Sequence, residues 1–430
     1  MHLWVIKTLE PLGGGNRLLR AGLIARMASA KGMRVTWWNS RIDRVSGRAR
    51  RSEDIVATRE LGIDLELLRG PRYHRAISMR RFLHDLSTAA DFVRRTIGRS
   101  PPDIIYCSMP PIELTVAAVA YARRHEIPVV VDVRDIWPDL WGELAPRALR
   151  PIARLTAIPY RRLLTFALTR ADALFACGEG ALAWALARAG RERRGVDGVF
   201  PHAVAAEPLP PHVRREAEAF WEGIGLGWGR REEERLRLVF AGALTERAGC
   251  LEFLRTFLTL PADLRKRVRI VVAGSGAQAP AIRELAVRDS SVIWTDWLDR
   301  ARLWTLYERC DVGVAPYRRT LDAGWILVNK FCEYIFHGLP VLTTLTGEVE
   351  RFVREHGCGM IWSGDAADLS AKIARFMDRD ALKELRRNAR TAGKLFDADR
   401  VYGEMIERLE LLARYARLRK IAAPTGGTTH

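Results

Sequence analysis

Three side chains with complementary chemistry stand close together in the segment PYRRTLDAGWILVNKFCEYIFHGLPVLTT, residues 316–344: Asn329, Lys330 and Glu333. An ammonium such as Lys330 suits a diphosphate. A carboxylate near a helix N-terminus is favoured by the helix dipole and can grip two ribose hydroxyls at once, which is the chemistry open to Glu333. A polar loop with Arg318, Arg319, Asp322 and Gly324 precedes them. Gly242 follows the apolar run LRLVFA and Gly274 follows VRIVVA. Turns of this kind offer backbone amides to phosphate, or simply lead a strand into a helix. Arg247 lies just beyond the first and can neutralise phosphate charge. In the first half, Gly13, Gly14 and Gly15 sit between an apolar run and a helical pattern, again with amides able to face a phosphate. Asp132 and Asp135 flank Arg134 in VVVDVRDIWPDLWGE. A carboxylate there can orient a sugar hydroxyl, and Asp135 is the candidate. The plainer alternative pairs Asp135 with Arg134 and leaves Asp132 capping a turn.

Several chemistries are disfavoured. The spacing Gly13-Gly14-Gly15 is not GxGxxG, and no acidic residue ends the second apolar run VTWWNS, which argues against a dinucleotide oxidoreductase. GxxxxGK[ST] is absent, which argues against a P-loop NTPase. Cys107, Cys177, Cys250, Cys310, Cys332 and Cys358 are scattered without a CxxC pair, so neither zinc nor a disulfide framework is indicated, and a reducing cytosol is expected. The histidines have no metal-ligand spacing, and no metal site is expected.

The elements that must position these residues follow from periodicity. Leu3–Ile6, Arg34–Trp38, Asp103–Cys107, Pro128–Val133 and Ala173–Cys177 read as buried strands, with a helix over Asn16–Ala30. The pattern restarts with Leu236–Ala241, Val268–Ala273, Val292–Trp294, Val312–Ala315 and Val341–Thr343. Continuous apolar runs separated by helices indicate parallel sheets covered on both faces, hence an α/β fold with two doubly wound, Rossmann-like domains. The expected boundaries are 1–203 for the first domain, 204–235 for a Pro- and Gly-rich linker and 236–398 for the second domain. A helix over 399–420 returns toward the first domain, and 421–430 form a disordered tail. Ligands of such sheets bind outside the strands' carboxyl ends, and two sheets imply a cleft between them.

The 430 residues carry 69 Lys and Arg against 51 Asp and Glu, a net charge of +18. Residues 1–200 hold about 33 basic and about 20 acidic side chains, so most of the excess lies there. Hydrophobic residues at 48% exclude global disorder. A basic half suggests an anionic partner, while an Arg-rich background composition is the plain alternative. The N-terminus reads as a strand leading to a glycine loop rather than as a signal peptide, and no apolar stretch is long enough to span a bilayer, so membrane contact is expected to be peripheral. Arg72, Arg80 and Arg81 open an amphipathic stretch, and 147–170 mixes Arg with Leu, Ile and Tyr160. No nucleic-acid-binding module is present.

VDVRDIWPDL, LVFAGALTERAGCLEFL, IVVAGSG, WLDRARLWTLYERCDVGVAPY and NKFCEYIFHGLPVLTT together resemble the retaining "group 1", or family 4, glycosyltransferases of GT-B fold, of the type that builds bacterial surface polysaccharides. The resemblance runs from Gly13 to about Trp362. It implies transfer of a sugar from a UDP- or GDP-sugar to a hydroxyl of a glycan, with retention, without a metal or other cofactor. Glu333 matches the second Glu of the family's Glu-x7-Glu signature, which binds the nucleotide ribose; the first position falls on Trp325. Asp322, or amides after Gly324, would then substitute for the missing donor-sugar contact. The family's phosphate-binding Lys falls on Ala248, so Arg247 and Lys330 are the replacements. Asp135 falls on the acceptor side. The basic half then points to a lipid-linked glycan acceptor, as in polysaccharide or lipopolysaccharide synthesis, met by a cytoplasmic enzyme peripheral at the inner face of an anionic membrane. Two rival readings keep the fold but differ in activity, one a non-catalytic nucleotide- or partner-binding protein and the other a sugar-nucleotide epimerase.

Overall fold

In the computed structural model, residues 1–13, 17–43, 47–73, 78–145, 147–227, 235–318 and 324–422 are described. Gly14, Gly15, Arg319, Asp322 and the tail from 423 onward lie outside them. The chain divides into two compact units, Met1–Phe200 with Val401–His430, and Pro201–Arg400.

The first unit has a seven-stranded parallel sheet of order β3-β2-β1-β4-β5-β6-β7. Its strands are β1 (His2–Ile6), β2 (Arg34–Ser40), β3 (Ile63–Leu68), β4 (Ile104–Met109), β5 (Val129–Val133), β6 (Ala173–Ala176) and β7 (Gly198–Val199). The central strands β4 and β5 are buried throughout because helices cover both faces, which is why they read as unbroken apolar runs. The edge strand β3 escaped the sequence reading. It alternates, IDLELL, with Asp64 paired to Arg34 and Glu66 to Arg95 and Arg99. The helices are α1 (Arg20–Ala30), α2 (Ser52–Glu60), α3 (Met79–Thr96), α4 (Ile112–Arg124), α5 (Trp141–Leu144), α6 (Arg150–Arg170) and α7 (Glu179–Ala189). Strand order and right-handed crossovers place α3, α4, α6 and α7 on one face of the sheet and α1 and α2 on the other.

The second unit has a six-stranded parallel sheet of order β10-β9-β8-β11-β12-β13, built from β8 (Leu236–Ala241), β9 (Val268–Ala273), β10 (Val292–Thr295), β11 (Val312–Ala315), β12 (Val341–Thr343) and β13 (Gly359–Ile361). The stretch expected as a plain linker instead contains α8 (Pro211–Gly223), anchored where the buried Trp221 indole donates to the Thr305 hydroxyl at 2.9 Å. The unit's remaining helices are α9 (Cys250–Leu258), α10 (Ala262–Lys266), α11 (Ala279–Arg288), α12 (Arg300–Arg309), α13 (Asn329–Phe336), α14 (Glu348–His356), α15 (Ala366–Met377) and α16 (Arg379–Gly393), while α17 (Ala398–Ala422) belongs to the first unit from Val401 on. All six cysteines are buried and unbridged. No helix among the described residues is long and apolar enough to cross a membrane.

Candidate active site

The candidate residues of the second unit gather at the carboxyl ends of β8, β9, β11 and β12. Helix α13 begins at Asn329 directly after the loop that follows β11, and it is buried through Lys330–Ile335. It is pinned by Tyr334. The phenol oxygen accepts from the Ala241 N–H at 2.8 Å, and its ring lies where any Cβ on Gly313 would sit, 2.4 Å away. Burial raises the Tyr334 phenol well above its usual range, so it stays a neutral bridge.

This anchoring sets Lys330. Its Nζ lies 4.5 Å from the centre of the Phe240 ring and 5.3 Å from that of Tyr317, and a Cβ on Gly242 would come within 2.8 Å of it. Among the described residues Lys330 makes no hydrogen bond or ion pair. The cation therefore rests on two aromatic faces at the end of β8. Glu333, one turn on, shares the Lys330 side of α13 and is buried.

The glycine turns are more committed than the sequence suggested. The Gly242 N–H donates to Ala273 O at 2.8 Å and that of Gly274 to Thr295 O at 3.1 Å, so both amides are used in extending the sheet. What Gly274 supplies is close approach: at φ 149 it lets the Gly242 carbonyl pass where a Cβ would stand only 1.9 Å away. The turn Glu246–Ala248 is capped by Thr245 and holds Arg247, half-buried. It is tied to the loop after β11, because the Arg318 N–H donates to Arg247 O at 3.0 Å and the Arg318 guanidinium pairs with Glu246. Gly249 ends this turn at φ 68 with the Pro316 carbonyl packed 1.7 Å from the place of a Cβ. Residues near Arg247 and near Pro316, distant in sequence, thus become one wall. Gly324 carries its carbonyl against Gly347, and Trp325 is half-buried with no hydrogen bond or ring contact among the described residues.

In the first unit, the segment after β5 is held by two ion pairs that sequence reasoning missed. Asp132 is fully buried and accepts from Arg20 through both oxygens at 2.8 Å and from Tyr106 at 2.5 Å. Burial alone would raise the Asp132 carboxyl, but Arg20 and the Tyr106 hydrogen bond outweigh it and hold the group below its ordinary value. Asp132 is a structural ion-pair partner, not a turn cap. Arg134 pairs with Glu10, whose carboxylate also accepts the Ala21 N–H at the start of α1 at 2.9 Å. The alternative pairing of Arg134 with Asp135 is not found. Asp135 is half-buried and makes no hydrogen bond or ion pair among the described residues. Glu10 could have been suspected from its place just after the first strand; its partner could not. The Gly13 N–H donates to the Thr58 hydroxyl at 2.9 Å, so it is already occupied.

Two family models match the chain: "Glycosyl transferase 4-like domain" over residues 20–197 and "Glycosyl transferases group 1" over residues 235–379. A search of curated protein sequences returned no match. Among solved structures, the chain is similar to the sucrose-phosphate synthase of Thermosynechococcus elongatus, with TM-score 0.68 and 14% identity over 98% of this chain and 100% of the other. It is similar to Anabaena Alr3699/HepE, solved with UDP and glucose, with TM-score 0.66 and 15% identity over 96% and 100%. WaaG, a glycosyltransferase involved in lipopolysaccharide biosynthesis, gives TM-score 0.62 and 16% identity over 99% and 100%. At these identities the structures speak for the fold, and the two family models, which take in most of both units, speak for the family. The chain belongs to the glycosyltransferases of GT-B fold.

Proposed function

We propose that the protein transfers a sugar from a nucleoside-diphosphate sugar to a hydroxyl of a lipid-linked glycan, in the synthesis of a cell-surface polysaccharide or lipopolysaccharide, with retention at the sugar carbon. The observation that carries this reading is the Lys330 ammonium, held on two rings at the end of β8 beside Gly242, with Glu333 on the same side of the helix. A dianionic diphosphate supplies a counter-charge to Lys330, and a ribose supplies two hydroxyls to Glu333. Anabaena Alr3699/HepE was solved with UDP and with UDP-glucose, which puts UDP-sugars first among the donors to try, with GDP-sugars next.

In this reading Lys330 and Arg247 stabilise the charge that develops on the departing diphosphate. Asp135 accepts a hydrogen bond from the acceptor hydroxyl and fixes its direction of approach. Asn329, Asp322 and the backbone at Gly324 contact the donor, and Gly242 leaves room for the Lys330 ammonium at its phosphates. The enzyme would work in the cytoplasm. WaaG's part in lipopolysaccharide biosynthesis supports the choice of pathway class.

The test is a thermal-shift panel of UDP-, GDP- and ADP-sugars. One sugar nucleotide is expected to raise the melting temperature, and Glu333→Ala to abolish that rise. A rise that survives Glu333→Ala refutes the placement. Trp325, where the family signature has a carboxylate, favours a second reading, a binding protein without turnover. A sugar nucleotide that binds but gives neither free nucleotide nor glycosylated product with any acceptor would decide for it.

A further inference from the structure

Helix α3 is turned inside out. Its inward residues are His84, Asp85, Thr88, Ala89, Asp91, Phe92 and Thr96, mostly polar. These polar groups are partnered: His84 with Pro71 O at 2.9 Å, Asp85 with Arg81, and Asp91 with Arg94 and Arg95. Its outward stripe is apolar, with Met79 74% exposed, Leu83 51%, Leu86 59% and Val93 49%. The spacing of Met79, Leu83 and Leu86 is that of one helix face. An amphipathic helix packed on a sheet normally shows water the opposite side.

Helix α6 adds a second outward stripe. Its buried residues Ala157, Leu164, Ala167 and Leu168 are apolar, yet it also exposes Ile152 (59%) and Leu155 (67%), with Ile158 and Leu163 beside them. Its sequence RPIARLTAIPYRRLLTFALTR contains no acidic residue, and Arg150, Arg154 and Arg162 are exposed. Both helices pack on α4 in one layer, and the Phe82 ring of α3 meets the Tyr160 ring of α6 at 5.8 Å. Two apolar, arginine-flanked stripes thus lie on one side of the unit. Single exposed leucines need no explanation, but two adjacent helices that both carry an apolar stripe on the outside do.

We infer that the outer faces of α3 and α6 dock on an anionic phospholipid bilayer, with Met79, Leu83, Leu86, Ile152 and Leu155 entering the acyl boundary and the α6 arginines meeting lipid phosphates. The charge chooses the occupant: a helix rich in arginine and without a carboxylate is matched by a surface of phosphates. The inference rests on the transferase reading for its purpose, naming where a lipid-linked acceptor is met, and on other residues for its evidence.

The test is co-sedimentation of the full chain with phosphatidylcholine vesicles, with or without about one-third phosphatidylglycerol. Anionic vesicles are expected to bind at least about tenfold more tightly, and about 0.5 M salt to weaken binding. The combined variant Leu83→Ser, Leu86→Ser, Ile152→Ser, Leu155→Ser is expected to lose at least about tenfold in affinity. Its melting temperature and its response to sugar nucleotides should stay unchanged. If it melts early, Arg150→Glu with Arg154→Glu carries the test. Wild-type protein left in the supernatant, or variants that pellet like wild type, overturns the inference. So does a wild-type dimer in sedimentation velocity that the variant lacks, which would assign the face to a second copy. Protein that binds vesicles but answers to no sugar nucleotide refutes the transferase reading and leaves this one standing; the reverse result does the opposite.

Discussion

Asp132 and Asp135 show how much a position three residues along can change a carboxylate's work. Asp132 is locked between Arg20 and Tyr106, out of reach of any ligand, whereas Asp135 is half-buried and uncommitted. Removing one partner of a buried pair strands the other charge, so Asp132→Asn is expected to cost about 3–5 kcal/mol of stability in urea denaturation. Asp135→Asn should stay within about 0.5 kcal/mol of wild type in the same measurement and lower product formation instead. The reverse pattern would exchange their roles. The type and place of both residues were readable, because each stands at the end of an apolar run. The partners were not. Arg20 lies 112 positions from Asp132 and Glu10 lies 124 from Arg134, and no local pattern announces a pairing across that distance.

At the scale of elements, three helices meet in a titratable cluster. Asp85 of α3 is pushed up to about 6, chiefly by burial and against the pull of Arg81. Glu113 in the first turn of α4 is pushed up to about 7, by burial first and then by the charge of Asp85. Tyr160 of α6 bonds to Glu113, and Lys7 acts on Asp85 from the end of β1. Between about pH 4 and about pH 7 the folded chain keeps protons that the unfolded chain has shed. The contribution of both groups therefore falls as pH rises through that window and is level above it. Asp132, Asp139 and Asp197 are shifted the other way, so their contributions are lost only below about pH 4 and do not overlap. Glu113→Gln is expected to make the slope of melting temperature against pH less negative between about pH 5.5 and about pH 8, where His2 and His84, held below their usual value by burial, contribute the opposite slope in both proteins. An unchanged slope would show that Glu113 titrates normally. The sequence marks α3 as amphipathic by its period, yet the period does not say which side turns inward. That choice is made by Arg81, Arg94 and Arg95 holding the buried carboxylates. Edge strand β3 was lost for a related reason, since its Asp64 and Glu66 break the apolar run that marks interior strands.

For the whole molecule, the two parallel sheets were legible because strands buried on both faces carry uninterrupted apolar runs. The first unit is nonetheless discontinuous: it needs α17, whose Tyr402, Met405, Ile406 and Leu409 are buried and whose Tyr402 ring faces Arg20 at 5.5 Å. Ending the chain after Arg400 is therefore expected to lower the melting transition of the first unit and to leave that of the second in place. Differential scanning calorimetry would resolve the two, and a common downward shift of both would show that the units do not melt separately.

The second unit, by contrast, is one unbroken segment, Pro201–Arg400, with its own apolar core. Because α17 follows it in the chain, the first unit cannot be completed until all of Pro201–Arg400 has been translated.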